Sequence, residues 1–369
     1  TLTPDIAQYI MDFSEVKAVF LGESENWEQV SAVVPEGARV ITMPGVEVEG
    51  ATPMSDIIEA NRGRKPEFEP DADTMFSIVF TSGTTGMPKG VMQTHDSFVV
   101  PVSRFAEAFK TKAGSRLLSY LPLSHIAERQ LVGASSVVYR SVVTFAESMA
   151  TLPRDMRETV PNFFFGPPRV WEQLQQMVLA MLGGQETIDR RLAEEGDAFR
   201  QEVQQMLGFQ DADYLLAAAA PTPPALIHWF EKFGILVMEG FGQTEAMGLI
   251  ANSAEERRIG ALGKVLSNVE ARISEQGELI IKAGGLSPGY YKQPDKTAET
   301  FVDGWIHTGD KGYIDEDGFV FLTGRVKDYF KTIQGKFVAP VPIEGDFAKN
   351  PWTEQQCLMG RGYSKTVMA

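Results

Sequence analysis

Thr81-Ser82-Gly83-Thr84-Thr85-Gly86-Met87-Pro88-Lys89-Gly90 directly follows an apolar run, Phe76 to Phe80, that reads as a buried strand. Three glycines let the backbone turn its N–H groups toward an anion, four hydroxyls add donors and Lys89 supplies charge. Together these are the parts of a polyphosphate cradle. The ordinary P-loop differs, because its lysine precedes Ser or Thr. Here Lys89 lies between Pro88 and Gly90, so the metal-binding hydroxyl after the lysine is missing.

Outward from this loop, short apolar runs alternate with stretches of helical length. Lys17 to Leu21, Arg39 to Thr42, Leu117 to Leu121, Val137 to Thr144, Asn162 to Phe165, Tyr214 to Ala217 and Ile235 to Met238 read as buried strands. Ile6 to Phe13, Pro53 to Asn61, Asp96 to Phe109, Ser148 to Thr159, Pro168 to Leu182 and Pro223 to Phe233 read as helices, several opened by Asp, Ser or Pro. Strands separated by helices of this size predict βαβ units, mostly parallel sheets and an α/β fold. The charged segment Thr187 to Gln205 reads as a solvated helix. After about Asn252 the pattern changes to short alternating strands, Glu270 to Ser274, Glu278 to Lys282, Gly312 to Ile314 and Phe319 to Thr323. These predict an antiparallel sheet or small barrel, with Asp315 to Gly318 as a hairpin turn.

The chain has 369 residues and a formal charge of −15, a length that predicts roughly two to three domains. Its 43% hydrophobic content supports a real core and excludes a disordered chain. The acidic balance argues against nucleic acid, which demands clustered Lys and Arg. One cysteine, Cys357, excludes an internal disulfide framework and a Cys-built metal site, and fits a reducing compartment. No apolar run reaches the roughly 18 residues of a membrane helix. The chain opens at Thr1 without a basic or apolar leader, so no secretory signal is expected. The expectation is a cytoplasmic protein, with peripheral membrane contact and self-association left open.

Further motifs follow the first loop in order. Gly240-Phe241-Gly242-Gln243-Thr244-Glu245, His307-Thr308-Gly309-Asp310 and Gly324-Arg325-Val326-Lys327-Asp328, with Thr81 to Gly90, resemble the signatures of the adenylate-forming (ANL) superfamily: acyl-CoA synthetases, firefly luciferases and peptide-synthetase adenylation domains. Tyr120 to Arg129 and Gly335 to Pro340 look most like long-chain fatty acyl-CoA synthetases and their bacterial relatives. The resemblance implies an AMP-binding N-terminal domain over residues 1–324, made of layered α/β subdomains plus a small β-barrel-like part at about 253–324. Residues 325–369 would begin a small, mobile α+β C-terminal domain.

The same resemblance implies the roles. Thr81, Ser82, Gly83, Thr84, Thr85, Gly86 and Lys89 would hold the phosphates of ATP, and Thr81 with Glu245 would hold Mg²⁺, which favours one or two protein oxygens beside phosphate and water. Glu245 alone is an ordinary loop acid. Asp310, whose bland reading is an Asx-turn in a strand-flanking turn, would accept the ribose hydroxyls with Arg325 as a second contact. Gly242, Gln243 and Thr244 would also bind the nucleotide, Ala219 and Ala220 belong to the adenine segment, and Phe241 would stack on adenine where most relatives have Tyr. Ala218 occupies a position that is Gly in relatives, where a methyl group crowds the base. His125 is either a structural hydrogen-bonder or a group gating the carboxylate pocket. Lys327 is either a surface lysine or the hinge, and Gly335 would approach coenzyme A.

The implied activity is ATP- and Mg²⁺-dependent activation of a long- or medium-chain fatty acid to an acyl-adenylate, then transfer to coenzyme A. Luciferase-like and peptide-synthetase chemistry are alternatives, as is a fragment that binds nucleotide without catalysis. Relatives carry an N-terminal α/β stretch before the position of Thr1 and a C-terminal P-x-x-x-x-G-K lysine that Lys365 does not match. The expectation is therefore a core fragment of a longer synthetase.

Overall fold

The computed structural model describes residues 3–22, 27–81, 87–331, 333–334, 337–338, 340, 343–344, 357–360 and 366–368. A small parallel sheet comes first, formed by β1 (Ala18–Leu21), β2 (Arg39–Thr42) and β3 (Thr52–Pro53) in that order. Next is an antiparallel hairpin of β4 (Met75–Thr81) and β5 (Lys89–Thr94), with Thr81 paired to Lys89 at the end where the connecting loop begins. The central sheet has seven strands. In chain order they are β6 (Arg116–Ser119), β7 (Val142–Phe145), β8 (Phe163–Gly166), β9 (Tyr214–Ala217), β10 (Val237–Gln243), β11 (Ala246–Ala251) and β12 (Lys264–Val265), and in space they run β12-β11-β10-β9-β8-β6-β7. The strands from β7 to β10 are parallel, while β10, β11 and β12 are antiparallel. An antiparallel five-stranded sheet follows, built from β13 (Val269–Ile273), β14 (Glu278–Ala283), β15 (Phe301–Val302), β16 (Trp305–Ile314) and β17 (Val320–Arg325).

The α/β class expected from strand and helix alternation is what folds. Helices begin where the chain offers caps. Thr94 and Ser97 exchange side-chain and backbone hydrogen bonds as a capping box for His95–Phe109. Pro168 opens the helix to Leu182, and Gly183 closes it in the left-handed region. Covering the parallel strands, Trp171, Phe164, Phe199, Phe230 and Phe233 are completely buried and form the main core. Aromatic side chains of this size dominate core energetics because each buries so much area.

Several expectations are corrected. Lys89–Thr94 is a strand that sequence periodicity did not announce, so the phosphate-type loop joins two antiparallel strands. The expected strand Val137–Thr144 begins only at Val142. Ser135–Val138 is helical, continuing a π-helical segment Glu128–Ala134, and Arg140 at φ 52° ends it. The segment Thr187–Gln205 is two helices, Gln185–Glu195 and Asp197–Leu207, parted by Gly196. It is more than a solvated surface, since Ile188, Phe199 and Val203 are fully buried. The expected short strand Gly312–Ile314 is the end of the ten-residue β16. No helix among the described residues is long and apolar enough to cross a membrane.

Candidate active site

Two hairpin ends and one loop converge on Lys89. The β4–β5 hairpin carries Thr81 and Lys89 as cross-strand partners. The second hairpin, β10–β11, turns at Thr244 and Glu245, whose placement corrects the expected loop after a strand ending at Met238: β10 runs on to Gln243 and the chain reverses there. Gln93 Nε2 donates to Thr244 O at 2.9 Å and ties the two hairpins together. The loop before β15 closes over both. Tyr291 N donates to Gly90 O, Met92 N to Gly289 O, and Ser287 N to the Glu245 carbonyl.

This closure places Tyr290 between the two ionisable groups. Its hydroxyl donates to Glu245 Oε1 at 2.7 Å, and Lys89 Nζ lies 4.6 Å from its ring centroid, a cation–π distance. Burial lowers the pKa of Lys89, and the charge of Glu245 opposes that shift. Among the described residues nothing hydrogen-bonds to Glu245 Oε2. That oxygen is a hard donor of the kind Mg²⁺ takes beside phosphate and water. The described residues contain no group of three or more acidic, His or Cys side chains that would cage a metal by themselves. Ser82, Gly83, Thr84, Thr85, Gly86 and Gly335 lie outside the described residues.

A second group lies one strand away. Asp310 is not in an Asx-turn: it lies within β16, 5% exposed, directly opposite Arg325 of β17. Arg325 donates to its Oδ1 at 2.7 Å and Gln243 Nε2 to its Oδ2 at 2.9 Å. Burial raises the Asp310 pKa, and Arg325 and Gln243 oppose that rise. Gln243 also donates to Thr308 O at 2.8 Å. Gln243, Thr244 and Glu245, three consecutive residues, thereby connect the Asp310–Arg325 pair to the Lys89–Tyr290 cluster. Lys327 sits in the turn after β17, and its charge is felt at Lys89.

Beside this line of polar groups is a cavity of about 200 Å³. Ala218, Ala219, Phe241, Gly242, Gln243 and Thr244 line it, together with apolar Phe105, Phe109, Leu131, Phe165 and Met247. Ala220, expected with them, is exposed and does not line the cavity. Ala219, and not Ala218, takes the left-handed conformation, at φ 74°. His125 is open to solvent on one side and lines the cavity on the other. Partial burial lowers its pKa, and its Nδ1 accepts the Ala127 N–H at 3.2 Å, so the neutral ring carries its proton on Nε2.

Two residues of this region escaped the sequence reading. Tyr290 carries only the weak signal of an aromatic beside Gly289 at the end of a β pattern. Arg104, 5% exposed on the helix His95–Phe109, gives its guanidinium to four carbonyls, those of Ser267, Met247, Gly248 and Gly284. Nothing in its helical spacing distinguishes it from a solvated arginine.

Comparison with known proteins shows the family and the fold. The family described as AMP-binding enzyme matches residues 1–291. The long-chain-fatty-acid–CoA ligase FadD15 of Mycobacterium bovis is 30% identical over 362 residues, covering 90% of this chain and 58% of the relative. The long-chain-fatty-acid–CoA ligase ACSBG2 of Xenopus laevis is 30% identical, covering 73% of this chain and 42% of the relative. The chain thus spans about half the length of these relatives. The crystal structure of ATP-bound MatB from Rhodopseudomonas palustris shares the fold with a TM-score of 0.81 at 23% identity, over 100% of this chain and 70% of that one.

Proposed function

The chain belongs to the AMP-binding enzyme family, and from that membership we propose that it binds ATP with Mg²⁺ and activates a fatty acid as its acyl-adenylate. In the whole protein the acyl group then passes to coenzyme A. The observation that supports this most is the unbroken line of polar groups from Lys89 through Tyr290 and Glu245 to Gln243, Asp310 and Arg325, beside an apolar cavity. The long-chain ligases among its relatives suggest the acid's class. A long-chain acid partitions into lipid, so transient membrane contact belongs to the same reading and is tested by vesicle co-sedimentation.

In this reading Asp310 accepts the ribose hydroxyls, Arg325 forks toward neighbouring oxygens, and Phe241 stacks on adenine. Residues Thr81 to Gly86 and Lys89 hold the phosphates, and Thr81 with Glu245 holds Mg²⁺. The metal, when bound, offsets phosphate charge. A carboxylate oxygen attacks the α-phosphorus and the bond to pyrophosphate breaks, so no proton moves in this step. Alignment and charge neutralisation, to which the protonated Lys89 contributes, carry it. His125, with its proton on Nε2, is placed to donate to the acid's carboxylate. In the second step a thiolate sulfur attacks the acyl carbon and AMP leaves with the electrons of the broken C–O bond. Lys327 serves as the hinge between the steps, and Gly335 would contact the incoming coenzyme A.

ATP–pyrophosphate exchange with Mg²⁺ and a panel of fatty acids tests the proposal. Acid-dependent exchange that disappears in Lys89→Ala and Glu245→Ala supports it. ATP binding without any exchange above the Lys89→Ala background supports the nucleotide-binding alternative instead.

A further inference from the structure

β14 and β16 are out of step where Asp310 is presented. Glu278 pairs with Lys311 and Ile280 with His307. Leu279 alone therefore faces the three residues Thr308, Gly309 and Asp310. Two extra residues on one strand make a bulge, a device that re-aims a side chain. Gly309 takes φ 73°, a conformation that L side chains rarely adopt. Thr308 Oγ1 donates to Leu279 O at 2.7 Å and accepts from Asp310 N at 3.1 Å.

Arg325 holds the bulge at the Asp310 side chain, and Glu278 holds it at the backbone. Glu278 Oε1 accepts the Gly309 N–H at 2.8 Å, while its Oε2 is 2.9 Å from His307 Nδ1. The two bonds clamp the residues on either side of Thr308, and the Glu278 side chain is only 15% exposed. Gln243 braces the same segment from the opposite end through Thr308 O and Asp310 Oδ2. A hydrogen bond from a backbone amide to a carboxylate is among the stronger kinds available to a protein. Among the described residues Glu278 makes no hydrogen bond to Asp310; its charge repels the Asp310 carboxylate, and its hydrogen bonds act on the site through the bulge.

We propose that Glu278 is a positioning residue for nucleotide recognition: its carboxylate fixes the Thr308–Asp310 bulge and so aims Asp310 at the ribose. This rests on the reading of Asp310 as the ribose acceptor. Removing Glu278 leaves Asp310 present and paired with Arg325 but free to shift. The loss then falls on nucleotides with ribose hydroxyls and spares those without them.

The test is the binding of ATP and of 2′,3′-dideoxy-ATP, measured by titration calorimetry with Mg²⁺, to the wild-type chain, Asp310→Ala, Glu278→Ala, Glu278→Asp and Glu278→Gln. The wild type prefers ATP, and Asp310→Ala loses the preference. Glu278→Ala lowers it about tenfold, Glu278→Asp lowers it by less because the carboxylate is withdrawn by one methylene, and Glu278→Gln restores most of it. The glutamine can accept from Gly309 N–H and donate to His307 Nδ1. No preference in the wild type, or a preference kept by Asp310→Ala, overturns the ribose reading itself. If Asp310→Ala loses the preference while Glu278→Ala keeps it, or if Glu278→Ala weakens both nucleotides equally, the positioning role is overturned. Should Glu278→Ala fail to fold, Glu278→Asp carries the same comparison.

Discussion

Tyr290 holds Glu245 by a 2.7 Å hydrogen bond and carries Lys89 over its ring, so one phenol keeps a carboxylate and an ammonium apart and aimed at the same space. Residues that orient a metal-ligating carboxylate affect metal affinity by roughly 10- to 100-fold. Tyr290→Phe keeps the ring and deletes the hydroxyl. The Mg²⁺ concentration needed for half-maximal pyrophosphate exchange should rise about tenfold, with the melting temperature nearly unchanged. A magnesium titration identical to wild type refutes the positioning of Glu245 by Tyr290.

Lys89 loses its proton at lower pH than a solvated lysine, because burial favours its neutral form. ATP affinity of the free protein should therefore fall on the alkaline side while exposed lysines are still charged. Lys89→Arg keeps its charge throughout, so its affinity should not show this alkaline fall. Parallel pH profiles for the two proteins would contradict this.

Glu239 sits just before the Gly240 motif, 8% exposed, with its Oε2 accepting the Gly260 N–H at 2.8 Å. Burial pushes its pKa up to about 7 from 4.5. Below pH 4.5 both folded and unfolded chains are protonated and no penalty exists. The penalty grows as the unfolded chain ionises and is complete above about pH 7, reaching about 3 kcal/mol. Glu239→Gln should thus gain stability over wild type as pH rises from 5 to 8. Urea unfolding at the two ends of that range measures the difference.

Ala219 holds a left-handed conformation that costs an L-residue about 1–2 kcal/mol. Ala219→Gly relieves that strain but adds freedom to the unfolded chain, about 0.4–1 kcal/mol, leaving a net gain of roughly 0.5 kcal/mol. Ala218→Gly relieves nothing and should destabilise. Thermal melts that rank the two variants the other way would show that the strain is not stored at Ala219.

The large architecture was legible because buried parallel strands are continuous apolar runs and their helices open on recognisable caps. Composition points to a phosphate-type loop at residues 81–90, of which 82–86 lie outside the described residues, so that reading stays a proposal. What escaped was long-range or antiparallel. β5 mixes Lys, Gly, Gln and Thr with two apolar residues, since its pairing with β4 comes from the hairpin and not from a two-faced pattern. Asp310 read as a turn residue because Gly309 precedes it, although that glycine marks a bulge inside a strand. Tyr290 meets Glu245 across 45 residues of chain, a distance at which local spacing carries no signal.

The clasp made by Arg104 has an electrostatic consequence. All four of its hydrogen-bond acceptors are neutral carbonyls, and two of them, on Met247 and Gly248, belong to residues that line the cavity. A guanidinium stays protonated even when buried. Among the described residues it has no ion-pair partner, so its charge stands behind an apolar wall in low-dielectric surroundings. To an incoming molecule the chamber therefore offers more than a matching surface for an apolar tail: behind the wall formed by Met247 and Gly248 stands a cation, with the carboxylates of Glu245 and Asp310 on the polar side.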